Sequence, residues 1–412
     1  MNTLGFLLLL KRIYGKKLPD LKTIQKQGLL AVKIAQHFAL RVDFLDERVC
    51  RHLSKLFQAA DTAPEEDVRP LLAQLKEQDS EGLIIDIDST PFASASLGQV
   101  HSARLSSGQP AIVKIIKFTD EKKFVRDIRR IRRFVRFICF FYPKLRRVAD
   151  PVGILDYIES YTLTELDLQN EIAGARELQQ IRDTYAHVWP FSSLALPRFY
   201  PAQSSSRALL VERVIGKTFN AHLDAGTLSY QTLLEFFRIH GFFMFVPGIF
   251  HGDIHPGNVM LGEDGRIYLI DTGALSKIDP VISRGLFRFM KALAYYRIDA
   301  CADILHSMSN RSLSPKAFTR FLNEMKRLYS DFPGKTVSQV SMTRQMMQTI
   351  KLGINCGMDF GTGIFPIIKS MMYLDGMVLR CNPDAILMED MRPFINQFET
   401  VLSVVEKEEA IR

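Results

Sequence analysis

Cysteine is scarce and scattered in this 412-residue chain: Cys50, Cys139, Cys301, Cys356 and Cys381 are odd in number and form no C-x-x-C pair. That usage excludes a disulfide framework, indicates no zinc site and fits a reducing cytosol. Tryptophan occurs once. Long apolar runs are also missing, since no uncharged stretch reaches the roughly 18 residues that a spanning helix needs. The Phe-rich stretch from Ile239 to Gly252 is too short and is interrupted by Pro247. With no internal repeat and no low-complexity tract, local period and punctuation carry the reading.

What is present can bury a large core: 47% of residues are hydrophobic, 24% are charged, and 29 are Phe. Wholesale disorder and a small stapled scaffold are excluded, and the length suits one two-lobed unit with an appended segment. The net charge of +8 favours a polyanionic or membrane-surface partner. The excess is local, because eleven Lys or Arg face one acid, Asp127, between Lys122 and Arg147. Near the start, the apolar Leu7 to Leu10 run precedes Lys11, Arg12, Lys16 and Lys17. That is the wrong order for a secretory signal and leaves a surface-docking terminus as an open reading.

Apolar residues recur at helical spacing from about Leu21 to Leu75, so residues 1–80 are expected to form a helical N-terminal extension. From Gly82 the period changes. Leu83–Asp88, Val100–Leu105 and Ala111–Ile116 read as a three-stranded antiparallel meander, with Ser106–Gln109 as a turn. Helices are expected over Arg126–Tyr142 and Thr162–Ile181, followed by a strand at Ala208–Val214. A strand pair, Val259–Leu261 and Ile267–Ile270, then interrupts a mostly helical remainder. The fold class is α+β, with a small β-rich lobe over 81–215 and a larger helical lobe over 216–412.

The strongest chemical signal is His251-Gly-Asp-Ile-His-Pro-Gly-Asn258, followed by Asp271-Thr-Gly273 at the end of an apolar strand. Phosphoryl transfer needs a carboxylate to orient the acceptor, plus an Asn and a second Asp to hold magnesium against the phosphates. Asp253, Asn258 and Asp271 match those roles. His251 and His255 make a poor zinc pair, because Gly252, Pro256 and Gly257 preclude the helix that H-x-x-x-H requires. His255 is expected to fix the loop. Lys114, on a strand behind the small-residue hairpin from Phe92 to Gln99, can reach nucleotide phosphates. Glu171 is its candidate ion-pair partner on the helix expected from Thr162. Glu165 has a competing reading as the carboxylate of a capping box, Thr162-x-x-Glu165.

Taken together these motifs resemble the UbiB/AarF family of atypical kinase-like proteins, associated with ubiquinone and other prenyl-lipid metabolism, over nearly the whole chain. Pro91-Phe-Ala-Ser-Ala-Ser-Leu-Gly-Gln-Val-His101 is similar to the family's alanine-rich loop, and Glu165-Leu-Asp167 to its E-x-D helix. Asp253-x-x-Pro-x-Asn258 and Asp271-x-Gly273 resemble its catalytic and magnesium motifs. Met377 to Asp384 resembles part of its C-terminal lobe. The resemblance implies a bilobal protein-kinase-like fold, with ATP and Mg2+ as cofactors. It implies nucleotide contacts from Ala93, Ser94, Ala95, Ser96, Gly98 and Lys114, and backbone contacts to adenine from the hinge around Glu212 and Val214. The family's K-x-G-Q helix, which gates access to the site, matches Lys33-Ile-Ala-Gln36, with Glu165 and Asp167 as partners for Lys33. Ala35 stands where the family has Gly, Ser94 where it has Ala, and Thr272 where a D-F-G motif has Phe.

The basic segment carries an apolar stripe, Phe124, Ile128, Ile131, Val135, Ile138 and Tyr142, opposite Arg126, Arg129, Arg130, Arg132, Arg133 and Arg136. Two readings stay open: an anionic membrane surface engages the 122–147 helix, or the stripe packs on the lobe and the arginines are solvated. No aromatic platform is interleaved with the arginines, which argues against nucleic acid. The expectation is a Mg-ATP-dependent kinase or ATPase of the UbiB type in the cytoplasm, with no transmembrane helix and with peripheral contact at the inner face of a membrane. Its partners would be a lipid or a lipid-biosynthetic complex. An aminoglycoside or choline kinase-like phosphotransferase and a non-catalytic nucleotide-binding scaffold are the alternatives.

Overall fold

The computed structural model describes residues 1–39, 45–57, 62–94, 97–118, 120–142, 150–361 and 365–411. They form two compact units, the first being Met1–Gly174 with Pro197–Arg213 and the second Ala175–Leu196 with Val214–Arg412. The helical extension and the small β-rich segment expected from the sequence thus share one unit.

Among the described residues the first unit has a helical core, a core under its sheet and a small cluster of Ile116, Leu168, Ile172 and Leu209. Helices α1 (Thr3–Ile13), α2 (Leu21–Lys26), α3 (Leu29–Ala39) and α4 (Glu47–Leu53) pack with α6 (Glu121–Phe141) and α7 (Pro151–Glu165) around Leu9, Leu30, Ile34, Leu53, Ile128 and Ile131. Helix α5 (Glu65–Gln78) instead lays Val68 and Leu75 on the sheet. That sheet runs β1-β2-β3-β5, all antiparallel, from β1 (Ile84–Ser94), β2 (Gly98–Leu105), β3 (Pro110–Ile116) and β5 (Ala208–Glu212). The meander is as expected, with β1 running on to Ser94, so that Pro91–Ser94 of the alanine-rich segment is strand.

One expectation needs correction. The helix expected over Thr162–Ile181 is two helices, α7 and α8 (Gln169–Tyr185). The break is fixed by Asp167, whose Oδ1 accepts the Gln169 N–H at 3.0 Å, and by the Leu168 N–H, which donates to Ser206 O at 2.9 Å. Thr162 therefore lies buried in the last turn of α7, where its carbonyl accepts the Leu166 N–H, and it caps no helix start with Glu165. For the basic helix, where two readings were open, the packing of its apolar stripe is what the fold shows. Its stripe of Phe124, Ile128, Ile131 and Val135 is buried against the N-terminal helices, and Arg132 pairs with Asp156 and Glu159 on α7. Its first turn, Glu121 to Lys123, its arginines Arg126, Arg129, Arg130, Arg133 and Arg136, and its far end, Phe137, Phe140, Phe141 and Tyr142, are exposed. Residues 143–147 of that segment lie outside the described residues.

The second unit is built on α10 (Tyr230–Phe245), which follows α9 (Phe219–Asp224) and is buried almost all round. Its cap is Ser229, whose hydroxyl accepts the Thr232 N–H. Trp189 is stacked between Phe242 and Phe398, at 5.0 and 5.1 Å, with the Arg238 guanidinium 4.7 Å from its ring. Beside this core, β4 (Leu194–Ala195), β9 (Ile267–Leu269), β8 (Val259–Gly262) and β6 (Gly216–Thr218) form one sheet, and β7 (Ile249–His251) pairs with β10 (Leu275–Lys277). Helices α11 to α14 run through Pro280–Ala294, Ile298–Met308, Pro315–Leu328 and Met342–Cys356. Phe365–Cys381 (α15), Leu387–Asp390 (α16) and Arg392–Ile411 (α17) complete the unit. Among the described residues no helix is long and apolar enough to cross a membrane.

Phe398→Ala removes one of the two rings stacked on Trp189, and large-to-small changes at such sites cost about 3–5 kcal/mol. The urea midpoint followed by the fluorescence of this single tryptophan is expected to fall accordingly. An unchanged midpoint would show that the stack does not hold the unit together.

Candidate functional site

In the first unit, the hairpin that presents Lys114 is held by a buried polar chain. The His101 imidazole donates from Nδ1 to Asp88 O at 2.8 Å and accepts from Gln99 Nε2 at 2.9 Å, while Gln99 Oε1 accepts the Ala63 N–H. A carbonyl only accepts, so this chain fixes the neutral Nδ1–H tautomer. Gly98 pairs with Ile116, and a Cβ there would lie 2.8 Å from Ile115 O, so strand contact requires glycine. Ala93 and Ser94 pair with Val100 and Gln99, and Ser94 Oγ accepts from Lys117 Nζ at 2.8 Å. Ala95 and Ser96 lie outside the described residues.

Lys114 Nζ meets Glu171 Oε2 at 2.6 Å, both side chains being largely buried. The fold explains the meeting: the first turn of α8 packs Leu168 and Ile172 on Ile116 and Leu209, which carries Glu171 to the strand face that bears Lys114. Lys33, on α3, is buried and paired with Glu165 at the end of α7, with Tyr161 below its ammonium. Gln36 donates to Leu56 O at 2.9 Å. Asp167 faces α8 as its cap and is not brought to Lys33. The Glu212 N–H donates to Arg198 O, and its carboxylate accepts the Arg198 N–H, so its backbone donor and its side chain are both engaged locally.

In the second unit the polar loop closes on one imidazole. His251, buried on β7, donates from Nε2 to Asp271 O and accepts the Asp253 N–H at Nδ1, 3.0 Å away. Burial holds its pKa below the ordinary value, which suits a ring that must stay neutral to do both. Gly252 donates to Ala274 O, and a Cβ there would sit 2.2 Å from Ser276 Oγ. Asn258 donates from Nδ2 to Asp253 O at 3.0 Å, turning its oxygen end outward from that bond. His255 accepts the Gly257 N–H at 3.0 Å, the loop-fixing role its position suggested. Asp271 Oδ1 accepts the Gly273 N–H at 3.2 Å. Val214 opens this unit's second stretch of chain, just before β6.

One residue escaped the sequence reading. Lys369, buried on α15, places Nζ 3.0 Å from Asp253 Oδ1 and 5.9 Å from the Tyr373 ring, which packs edge-on against His255. A lysine and a tyrosine four apart on an otherwise apolar helix face were the available signal.

A family model described as the ABC1 atypical kinase-like domain matches residues 55–305, well over half of the chain. The chain belongs to this family. ABC1 membership agrees with the α+β kinase-like fold, and the relatives are of the UbiB/aarF type. An uncharacterized, chloroplastic aarF domain-containing protein kinase of Arabidopsis thaliana is 25% identical over 93% of this chain and 74% of its own length. Proteins described as probable protein kinase UbiB from Tolumonas auensis and Sodalis glossinidius are 25% and 24% identical, over 90% and 94% of this chain and 68% and 71% of theirs.

The ABC1 loop imposes a pH dependence. Burial lowers the pKa of His251 and His255, and burial beside His251 takes His240 down to about 3. The unfolded chain protonates these rings near 6.5. The stability held by their neutrality is therefore complete above that pH and is lost as pH falls toward 3, at up to about 1.4 kcal/mol per unit for each ring. The urea midpoint is expected to decline from pH 7 to 5. His240→Leu should flatten the decline, since His240 Nε2 is buried without a hydrogen bond. Parallel profiles for variant and parent would overturn the assignment.

Proposed function

We propose that this ABC1 protein is a Mg-ATP-dependent atypical kinase or ATPase of the UbiB type, acting at a membrane surface in ubiquinone or other lipid metabolism. The observation that carries the reading is the buried Lys114–Glu171 pair, since phosphate-binding lysines of kinases are positioned by such a glutamate. In this reading Lys114 contacts the α and β phosphates, the Ala93–Gly98 hairpin covers the nucleotide, and the chain near Glu212 and Val214 receives adenine. Asp253 orients the acceptor hydroxyl and Lys369 holds that carboxylate in place. Asp271 and the oxygen of Asn258 are hard donors of the kind that magnesium takes. When bound, the ion would neutralise phosphate charge.

The pairing of buried Lys33 with Glu165 supports a gating role for the N-terminal segment, with Lys33 and Gln36 on the gate and Glu165 at its seat. That segment favours a UbiB-type protein over a soluble small-molecule phosphotransferase. Exposed arginines on α6 support contact with an anionic surface, and cytoplasmic residence with peripheral attachment follows from the same reading.

ATP turnover with magnesium is expected to rise with anionic liposomes and to fall by about 10²–10⁴-fold in Asp253→Asn. Lys369→Met should lower turnover on the order of a hundredfold through misplacement of Asp253, with magnesium-dependent nucleotide binding retained. Asp271→Asn should abolish that binding by calorimetry. Binding without turnover in the parent would replace the enzyme reading with a nucleotide-sensing scaffold, and unchanged binding in Asp271→Asn would sink the metal assignment.

A further inference from the structure

Helix α1 is apolar on two faces. Phe6, Leu9 and Ile13 are buried in the helical core, while Leu4, Leu7 and Leu8, at i, i+3 and i+4, are 64%, 44% and 40% exposed. A surface helix normally turns charge to the solvent on its second face. Here the charge follows in the next turn. Leu8, Lys11, Arg12, Lys16, Lys17 and Leu18 line a depression of about 470 Å³ where the chain leaves α1. Its acid, Asp20, is occupied as the cap of α2, accepting the Thr23 N–H at 3.1 Å. Arg12 Nη1 is buried and has no hydrogen-bond partner among the described residues, although a guanidinium is a strong donor. Four cations around a concave surface, with a donor to spare and a row of exposed leucines on the same helix, match the chemistry of a phospholipid: an anionic headgroup and apolar chains.

We propose that α1 and the Lys11–Leu18 turn form a docking site for an anionic phospholipid bilayer, with Lys11, Arg12, Lys16 and Lys17 around the headgroup phosphate and Leu4, Leu7 and Leu8 in the acyl boundary. This deepens the membrane half of the function proposed above and is independent of its nucleotide half. It differs from the α6 arginine surface, whose helix has buried its apolar stripe. Leucines entering the boundary add apolar transfer to electrostatic attraction, so part of the binding should resist salt that screens the lysines.

The test is flotation of the full chain, without nucleotide, on vesicles of phosphatidylcholine alone and with phosphatidylglycerol added. Binding is expected only with the anionic lipid. Lys11→Gln, Lys16→Gln and Lys17→Gln together should lower the partition coefficient on the order of a hundredfold, at about 1 kcal/mol per lysine near a charged surface. Leu4→Ser with Leu7→Ser should remove the salt-resistant part. These side chains are exposed, and an unchanged thermal midpoint shows that the variants remain folded. Equal flotation of the lysine variant and the parent would overturn the proposal. So would loss of flotation only on charge reversal at Arg129, Arg130 and Arg133, or full displacement from vesicles by millimolar glycerophosphate, which would mark a free-phosphate site. Because no nucleotide is present, failure here leaves the kinase reading standing, and absent ATP turnover leaves this one.

Discussion

The polar loop of the second unit depends on one neutral imidazole. His251 takes the N–H of Asp253 on one nitrogen and gives its proton to the carbonyl of Asp271 on the other, so two segments twenty residues apart are tied through a single ring. Protonation would destroy the acceptor and leave two donors facing one acceptor and one N–H. Burial is what prevents this, and it comes from the short β7–β10 pair and from Gly252, where no side chain fits against Ser276 and Ala274. Asn258 and His255 then close the turn with bonds to Asp253 O and the Gly257 N–H. Backbone bonds thus position the main chain of Asp253 and Asp271, while their carboxylates meet Lys369 and the Gly273 N–H.

In the first unit the corresponding constraint is the break between α7 and α8. Had the helix run unbroken, Glu165 and Glu171 would lie six residues apart on one axis, about 9 Å along it and about a third of a turn apart around it. Asp167 and Ser206 instead stop one helix and start the next, so that Glu165 serves Lys33 on α3 and Glu171 serves Lys114 on the sheet. Ala35 is fully buried, and its methyl is accommodated while Lys33 remains paired. Each pair has one buried partner, Lys33 in the first and Glu171 in the second, an arrangement in which losing the other partner leaves a buried charge without compensation.

Much of this was legible in the sequence because it is local. Alternation marked the meander, the apolar pair Val259–Leu261 and Ile267–Ile270 marked the β8–β9 hairpin, and the spacing from Asp253 to Asn258 and Asp271 marked the loop. Contacts between remote segments were not legible. The stripe on α6 has the same period whether it faces a membrane or the N-terminal helices, and only packing against α1, α3 and α7 decides between them. The Thr162-x-x-Glu165 pattern is a capping box at a helix start and nothing at a helix end, and the difference was set by Leu168 reaching Ser206. Lys369 lies more than a hundred residues from Asp253 and no local rule joins them.

Lys369 also bears on the charge balance of the loop. Burial lowers the pKa of the three nearby imidazoles, His240, His251 and His255, and Lys369 pairs with Asp253. Asp271 has a backbone N–H for company, and the oxygen end of Asn258 points away from its bond to Asp253. The two carboxylates of the loop are thus held differently, Asp253 by a remote lysine and Asp271 by the N–H of its own turn, so the first depends on tertiary packing of α15 and the second on local chain geometry.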